Sequence, residues 1–409
     1  MTHNLSRRAV VGFGAAALAM FPVRRAAARD NVPGITDNSI KLGTTAPYSG
    51  PASAYGLYGE AQSAYFQMIN DAGGINGRKI NLISLDNAFS PPKAVEQTRK
   101  LVESEEVFAI AGFLGTPTNA AVSKYLNSKG VPSLYLTSGA ERFNDPKNFP
   151  WIVPFYPTYV AQGAVFGKYL LRTNPSAKIA VQYINDDLGK DFLRGLKQGL
   201  GDRAAAMIVK ELSHEITEPT IENQIVELKT TGADTFVQLS ASKFAAQAIR
   251  KVASLGWRPT FIINSNSSSV GATLAPAGLE NAKGLITARW EKSAADPDAQ
   301  EDADIKAYKE FARKYMPRLN IEDSTPVPGY NNAAAICHVL KKCGNDLTRE
   351  NLLAQATNLK DFRPPLILDG VRVYNSPADY SAFHNMQLAQ FDGERWKGIG
   401  EMISIDSTG

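Results

Sequence analysis

The 409-residue chain has little of what most catalytic or metal-binding proteins display, beginning with two cysteines and four histidines. Cys337 and Cys343 cannot form a disulfide framework. In one continuous helix they stand roughly 9 Å apart along the axis, too far to bridge. Gly344 reads as a helix stop, however, which leaves a bond across a frayed end open. His3, His214, His338 and His384 are scattered, a pattern of surface or helix residues rather than of metal ligands. No GxGxxG opens the first β–α unit, and no GxxxxGK[ST], HExxH or paired CxxC occurs. Neighbouring acids such as Asp186 and Asp187 have no evident catalytic partner. These absences argue against an enzyme, a cofactor or a metal.

An excess of one charge is missing too. Lys and Arg number 44 against 40 Asp and Glu, but Arg7, Arg8, Arg24 and Arg25 fall in residues 1–28, which hold no acid, so the remainder balances at 40 against 40. A neutral surface offers no electrostatic footprint for nucleic acid or anionic lipid. Long apolar runs are lacking as well. Residues 9–21 are too short and too rich in Gly and Ala to span a bilayer, which takes about 20 strongly apolar residues.

What is there begins with that same segment. Arg7 and Arg8, the apolar run, and the small residues Ala26, Ala27 and Ala28 have the layout of a cleaved export signal over residues 1–28. The paired arginines after Ser6 resemble the twin-arginine signal, whose passengers cross the membrane folded. Arg24 and Arg25, just before the cleavage site, disfavour the general secretion route. The expectation is a soluble protein delivered to a periplasm.

Removing the leader leaves about 380 residues, more than one hydrophobic core usually serves, so two lobes are expected. "SIKLGTTA" (39–46) reads as a strand, and Tyr58, Ala61, Tyr65, Met68, Ile69 and Ala72 follow at helical spacing. Strands at 80–86, 107–113 and 132–136 alternate with helices, one of them opened by Ser90 and two prolines. A second series runs from residue 159 with strands at 178–184, 205–212, 235–240 and 260–265. Two successive βαβα series predict two doubly wound, Rossmann-like parallel sheets. Residues 286–300 read as a crossing and a polar loop, helices are expected near 301–316, 330–342 and 348–358, and 366–373 and 386–396 read as late hairpin strands.

Three loops rich in small polar residues follow strands of the first series: 45–56, 114–123 and 137–143. At the carboxyl ends of parallel strands, backbone N–H groups and helix N-termini converge on a crevice. Ser and Thr hydroxyls add donors without charge, a combination suited to a carboxylate.

"SGPASAYG", "LGTPTNAAVS", "NDDLGKDFLRG", "KFAAQAIRKVASLGW" and "CGNDLTRENLLAQATNL" occur in this order, and through them the chain resembles the periplasmic solute-binding proteins of branched-chain amino acid-type ABC transporters. The similarity covers residues 36–405. It implies the type I periplasmic binding fold, an α/β architecture of two lobes joined by three crossover segments near 152–157, 285–290 and 365–375. Lobe 1 then comprises 36–154 and 288–370, and lobe 2 comprises 155–287 and 371–405. The implied partners are a small-molecule ligand and the membrane permease and ATPase subunits of a transporter, with the receptor itself a monomer. A ligand sensor of the amide-receptor type on the same fold is the alternative.

The resemblance also implies where the ligand sits. Tyr55 falls on the first motif's aromatic, Leu114 and Gly115 on the loop backbone, and Thr116 on the carboxylate-binding hydroxyl. Thr137, Ser138, Gly139 and Ala140 fall on the next ligand loop, with Phe155 and Tyr156 after the first crossing. Leu188 stands where amino-acid binders carry a Tyr. Across the cleft, Ser240, Asn264, Ser265 and Asn266 replace the region where amino-acid binders place a Glu for the ligand's ammonium. A buried ammonium without a carboxylate costs several kcal/mol. An aromatic or hydrophobic acid is therefore expected over leucine or valine. Another acid of the second lobe, such as Asp187, swinging into the cleft would restore ammonium binding, so a branched-chain amino acid stays as the alternative ligand.

Overall fold

The computed structural model describes Met1 and residues 32–405; the expected leader lies outside the described residues. The first series runs β1 (Ser39–Ala46), α1 (Gly56–Asp71), β2 (Lys79–Asp86), α2 (Pro91–Arg99), β3 (Ala109–Ala111), α3 (Thr116–Ser128), β4 (Ser133–Leu136) and β5 (Ile152–Pro154). Its five strands form one parallel sheet in the order β2-β1-β3-β4-β5. β3, β4 and β5 are buried along their whole length, which is why they read as continuous apolar runs and not as alternating ones.

The second series runs α4 (Tyr159–Thr173), β6 (Ile179–Ile184), α5 (Asp187–Leu200), β7 (Ile208–His214), α6 (Glu222–Thr230), β8 (Thr235–Leu239), α7 (Ser242–Ser254), β9 (Thr260–Ile263) and β10 (Ile286–Arg289). After it come α8 (Ala303–Tyr315), α9 (Val327–Cys343), α10 (Arg349–Ala356), β11 (Asn385–Phe391) and β12 (Trp396–Ser404). The second sheet has the order β12-β11-β10-β9-β8-β6-β7, with β11 antiparallel to both neighbours. Counted within its own series, β7-β6-β8-β9-β10 repeats the order of the first sheet. Each sheet reverses its winding between its first and third strands, and ligands of doubly wound sheets bind at that point.

The chain leaves the first sheet through residues 155–158, where the Thr158 hydroxyl caps α4 by accepting from the Ala161 N–H at 3.2 Å, a cap of about 1 kcal/mol. It returns after β10. α8 and α9 pack against α1 through aromatic rings: Tyr330 lies 4.9 Å from Tyr65 and 5.1 Å from Tyr308, both edge-on. Residues 368–384 then carry the chain back to β11. α4 and α5 cross at backbone contact, Gly163 and Gly167 on one helix meeting Gly195 and Gly199 on the other.

Two expected strands differ from the structure. Residues 204–207 are a helical turn, so β7 starts at Ile208. Residues 366–373 make only the isolated bridges Glu291↔Ile367 and Val373↔Phe383, because Pro364 and Pro365 cannot donate to a ladder and Asp369-Gly370 turns the chain. The late hairpin is β11 with β12. Cys337 and Cys343 are buried free thiols on α9.

Candidate functional site

The carboxyl ends of both sheets face one cavity of about 1140 Å³ when the open space at its mouth is counted. Leu114, Gly115, Thr116 and Thr137 come from the first sheet's loops, and Ile184, Asp186, Leu188, Ala241, Ser265 and Asn266 from the second's. Six aromatic side chains join them: Tyr55, Tyr58, Phe89, Tyr156, Tyr159 and Trp290. Tyr156 stands edge-on to Trp290, centroids 4.9 Å apart.

Gly115 precedes α3 with φ of 108°, a conformation side chains rarely adopt, and a Cβ there would stand 2.6 Å from the Thr118 hydroxyl. This turn sets the start of α3, Thr116 and Pro117, in the cavity wall beside Gly115. The Thr116 hydroxyl lies 2.8 Å from that of Ser138 and 3.4 Å from that of Tyr159. Thr137 donates to the Tyr58 hydroxyl at 2.8 Å. These groups are mutually oriented neutral donors and acceptors.

The two halves touch across the cavity. The Tyr55 hydroxyl accepts from the Ser242 N–H at 3.1 Å and donates to the Asn266 carbonyl oxygen at 3.2 Å. On another edge Arg142 pairs with Asp187 at 2.9 Å and Arg194 with Glu141 at 2.6 Å. Asp187, the acid of the second half expected to be able to reach the ligand, is held by Arg142 at this rim.

Nine of the residues expected from sequence line the cavity: Tyr55, Leu114, Gly115, Thr116, Thr137, Tyr156, Leu188, Ser265 and Asn266. Six lie behind it and support it. Ser138 orients Thr116. The Gly139 carbonyl accepts from the Tyr159 N–H at 2.7 Å, and Ala140 is buried beside it. Phe155 points into the core, 4.9 Å from Tyr135 and 5.0 Å from Phe383, because it lies on the opposite side of the crossing from Tyr156. Ser240 bonds to His214 Nε2 at 2.6 Å, and its N–H donates to Asn264 Oδ1 at 2.9 Å.

Sequence reasoning missed the most polar wall. Arg289, Glu291 and Lys292, at and after the end of β10, line the cavity with Asp186. Asp186 is occupied as the cap of α5, accepting from the Gly189 N–H at 3.2 Å, and burial lifts its carboxyl to about 6. Burial likewise pushes the Glu291 carboxyl up to about 7, against a hydrogen bond from Asn331 and the field of Arg289. The loop after β9 carries no acid, as expected; the acid that borders the cavity from an unexpected place is Glu291, which arrives from the crossing. The signal available was three charged residues in "ARWEK", at the end of an otherwise apolar strand.

Two lobes meet around one cavity to which the switch points of both sheets contribute. The chain belongs to the periplasmic binding protein family, whose model matches residues 39–395. This is a family of binding proteins and not of enzymes. The chain is 23% identical over 255 residues to an amino acid binding protein of Pseudomonas aeruginosa, a match covering 60% of this chain and 66% of that protein, just under two thirds of its length. Among solved structures it is similar to a branched chain amino acid ABC transporter from Thermus thermophilus with bound valine, with a TM-score of 0.80 and 16% identity over 91% of this chain and 98% of that one. It is also similar to an ABC transporter solute binding protein from R. palustris in complex with benzoate, with a TM-score of 0.76 and 20% identity over 91% and 99% of the two chains. These likenesses establish the type I periplasmic binding protein fold.

Proposed function

We propose that this protein is the extracytoplasmic receptor of an ABC importer, closing on a small carboxylic acid with an aromatic or hydrophobic body and presenting it to permease and ATPase subunits. The observation that carries the reading is the lining of six aromatic side chains with neutral hydroxyl donors beside them. Offset or edge-on stacking on such walls adds about 0.5–1.5 kcal/mol beyond burial. A relative with benzoate bound supports the ligand class.

Calorimetry on the protein without its leader tests it. Benzoate or cinnamate derivatives are expected to bind one per chain at micromolar concentration or below. A ligand at 100 times its dissociation constant adds about 2.7 kcal/mol of stability, readable as a thermal shift. Micromolar binding of leucine, isoleucine or valine, with no heat from aromatic acids, overturns the ligand class. That second reading, a branched-chain amino acid receptor, is favoured by one observation, the Glu291 carboxyl in the cavity.

Export is tested separately. Replacing Arg7 and Arg8 together by lysine is expected to strand precursor in the cytoplasm, since lysine lacks the paired donors of a guanidinium. An unchanged periplasmic yield assigns the leader to the general pathway instead.

A further inference from the structure

Arg289 is the last residue of β10, the strand that ends in the second crossing. It belongs to the lining of the ligand cavity and also of a second cavity behind it, bounded by Asp296, Asp302, Asp369 and Gln387. Arg289 therefore stands in the wall between the two. Its guanidinium makes one hydrogen bond, from an Nη to the Glu291 carbonyl oxygen at 2.8 Å.

Each neighbouring acid is engaged elsewhere. Asp302 and Asp304 hold Lys292 at 2.6 and 2.8 Å, and Asp369 bonds to Arg363 at 2.9 Å. Asp296 lies 3.9 Å from Arg395. The Glu291 carboxyl takes its hydrogen bond from Asn331 at 2.9 Å. No carboxylate reaches Arg289 within ion-pair distance among the described residues. A guanidinium offers five N–H donors in a planar fork that matches a carboxylate in bidentate fashion. Among the described residues four of these have no protein acceptor, and burial pulls the guanidinium's affinity for its proton down, opposed by the fields of Asp296 and Glu291.

By contrast, the Thr116 and Thr137 hydroxyls already have protein partners. The uncompensated charge in this cavity is on the crossing strand.

We infer that Arg289 is the specificity-determining anchor for the ligand's acid group, so that the carboxylate seats on the crossing strand and the apolar body extends toward Tyr55, Tyr58 and Phe89. This deepens the proposed function and rests on the cavity being its ligand site. Placed there, the acid group contacts the segment about which the two halves reorient, so ligand charge and closure are coupled directly.

The test compares acids with their neutral amides in the wild-type protein and in Arg289→Gln and Arg289→Lys. Benzoate and benzamide are titrated calorimetrically, and isovalerate and isovaleramide provide the aliphatic pair. Wild type is expected to prefer the acid by at least 100-fold. Arg289→Gln loses that preference, and Arg289→Lys keeps part of it, because an ammonium retains the charge without the fork. Thermal melting establishes that each variant is folded. If neither aromatic compound binds but isovalerate shows the Arg289-dependent preference, the anchor stands and the aromatic reading fails. An unchanged acid-to-amide ratio in folded Arg289→Gln overturns the anchor, as does a wild-type protein that prefers no acid over its amide.

Discussion

Gly195→Val is expected to destabilise the protein by about 3 kcal/mol or more. Gly195 lies on α5 where it crosses α4. A Cβ at this position would stand 2.0 Å from the Val160 carbonyl oxygen and 2.8 Å from its Cα. Those atoms are backbone and cannot rotate away, so the helices must separate. The separation would be felt by Gly163, Gly167 and Gly199, whose own contacts across the same interface are equally close. It would also disturb Phe192, stacked at 4.9 Å on Tyr159 of the cavity wall. Urea unfolding reads the loss as a lower midpoint, and an unchanged midpoint would falsify the assignment of this crossing as rigid. A valine at exposed Gly232, where a Cβ meets no atom but φ is 71°, is expected to cost less, through backbone strain alone.

Ionisation of Glu291 is expected to lower affinity for an aromatic acid about tenfold between pH 6 and pH 8, and Glu291→Gln is expected to flatten the profile to the part due to Asp186, which lines the same cavity with its carboxyl lifted to about 6. The Glu291 carboxyl titrates near 7, so at pH 8 roughly a tenth of the protein holds it neutral, and an ionised carboxylate repels an acid ligand. Arg289 on its own segment and the hydroxyls of Tyr58, Tyr156 and Tyr308 feel its charge; Asp186 and Lys292 share the cavity, Lys292 being paired with Asp302 and Asp304, and Asn331 supplies the hydrogen bond to Glu291. None of the tyrosines ionises in this range, because burial raises all three. An amino acid whose ammonium seats on Glu291 shows the opposite slope, tightening as pH rises through 7. The pH profile thus separates the two ligand classes.

Stability follows the same group. The folded value, about 7, lies above the ordinary 4.5, so the stabilising contribution is full below about 4.5 and is lost as pH rises toward 7. The loss is at most about 3 kcal/mol, reduced by the partial exposure of Glu291. Glu291→Gln removes that slope.

Much of the site was legible in the sequence because loops that follow buried parallel strands have one place to go. The turn at Gly115, the hydroxyls of Thr116 and Thr137, and the ring of Tyr55 are local consequences of β–α units. Neighbouring sequence places them at the carboxyl ends of strands. Phe155 and Tyr156 show where that logic stops: adjacent residues on a crossing point to opposite sides, and which one faces the ligand depends on how the second sheet is rotated.

The βαβ alternation, set by buried strands and amphipathic helices, was enough to determine two doubly wound sheets and the ends at which the cavity lies. Only the tertiary structure decided what closes the cavity. Tyr58 and Tyr159 lie on helix faces that read as core, and Arg289 and Glu291 lie on a crossing that returns to the first half after about 130 residues of chain. No local pattern records the meeting of segments so far apart. Their charge state follows from that meeting, since burial lifts the Glu291 carboxyl, while the Arg289 fork has the Glu291 carbonyl oxygen as its one acceptor among the described residues.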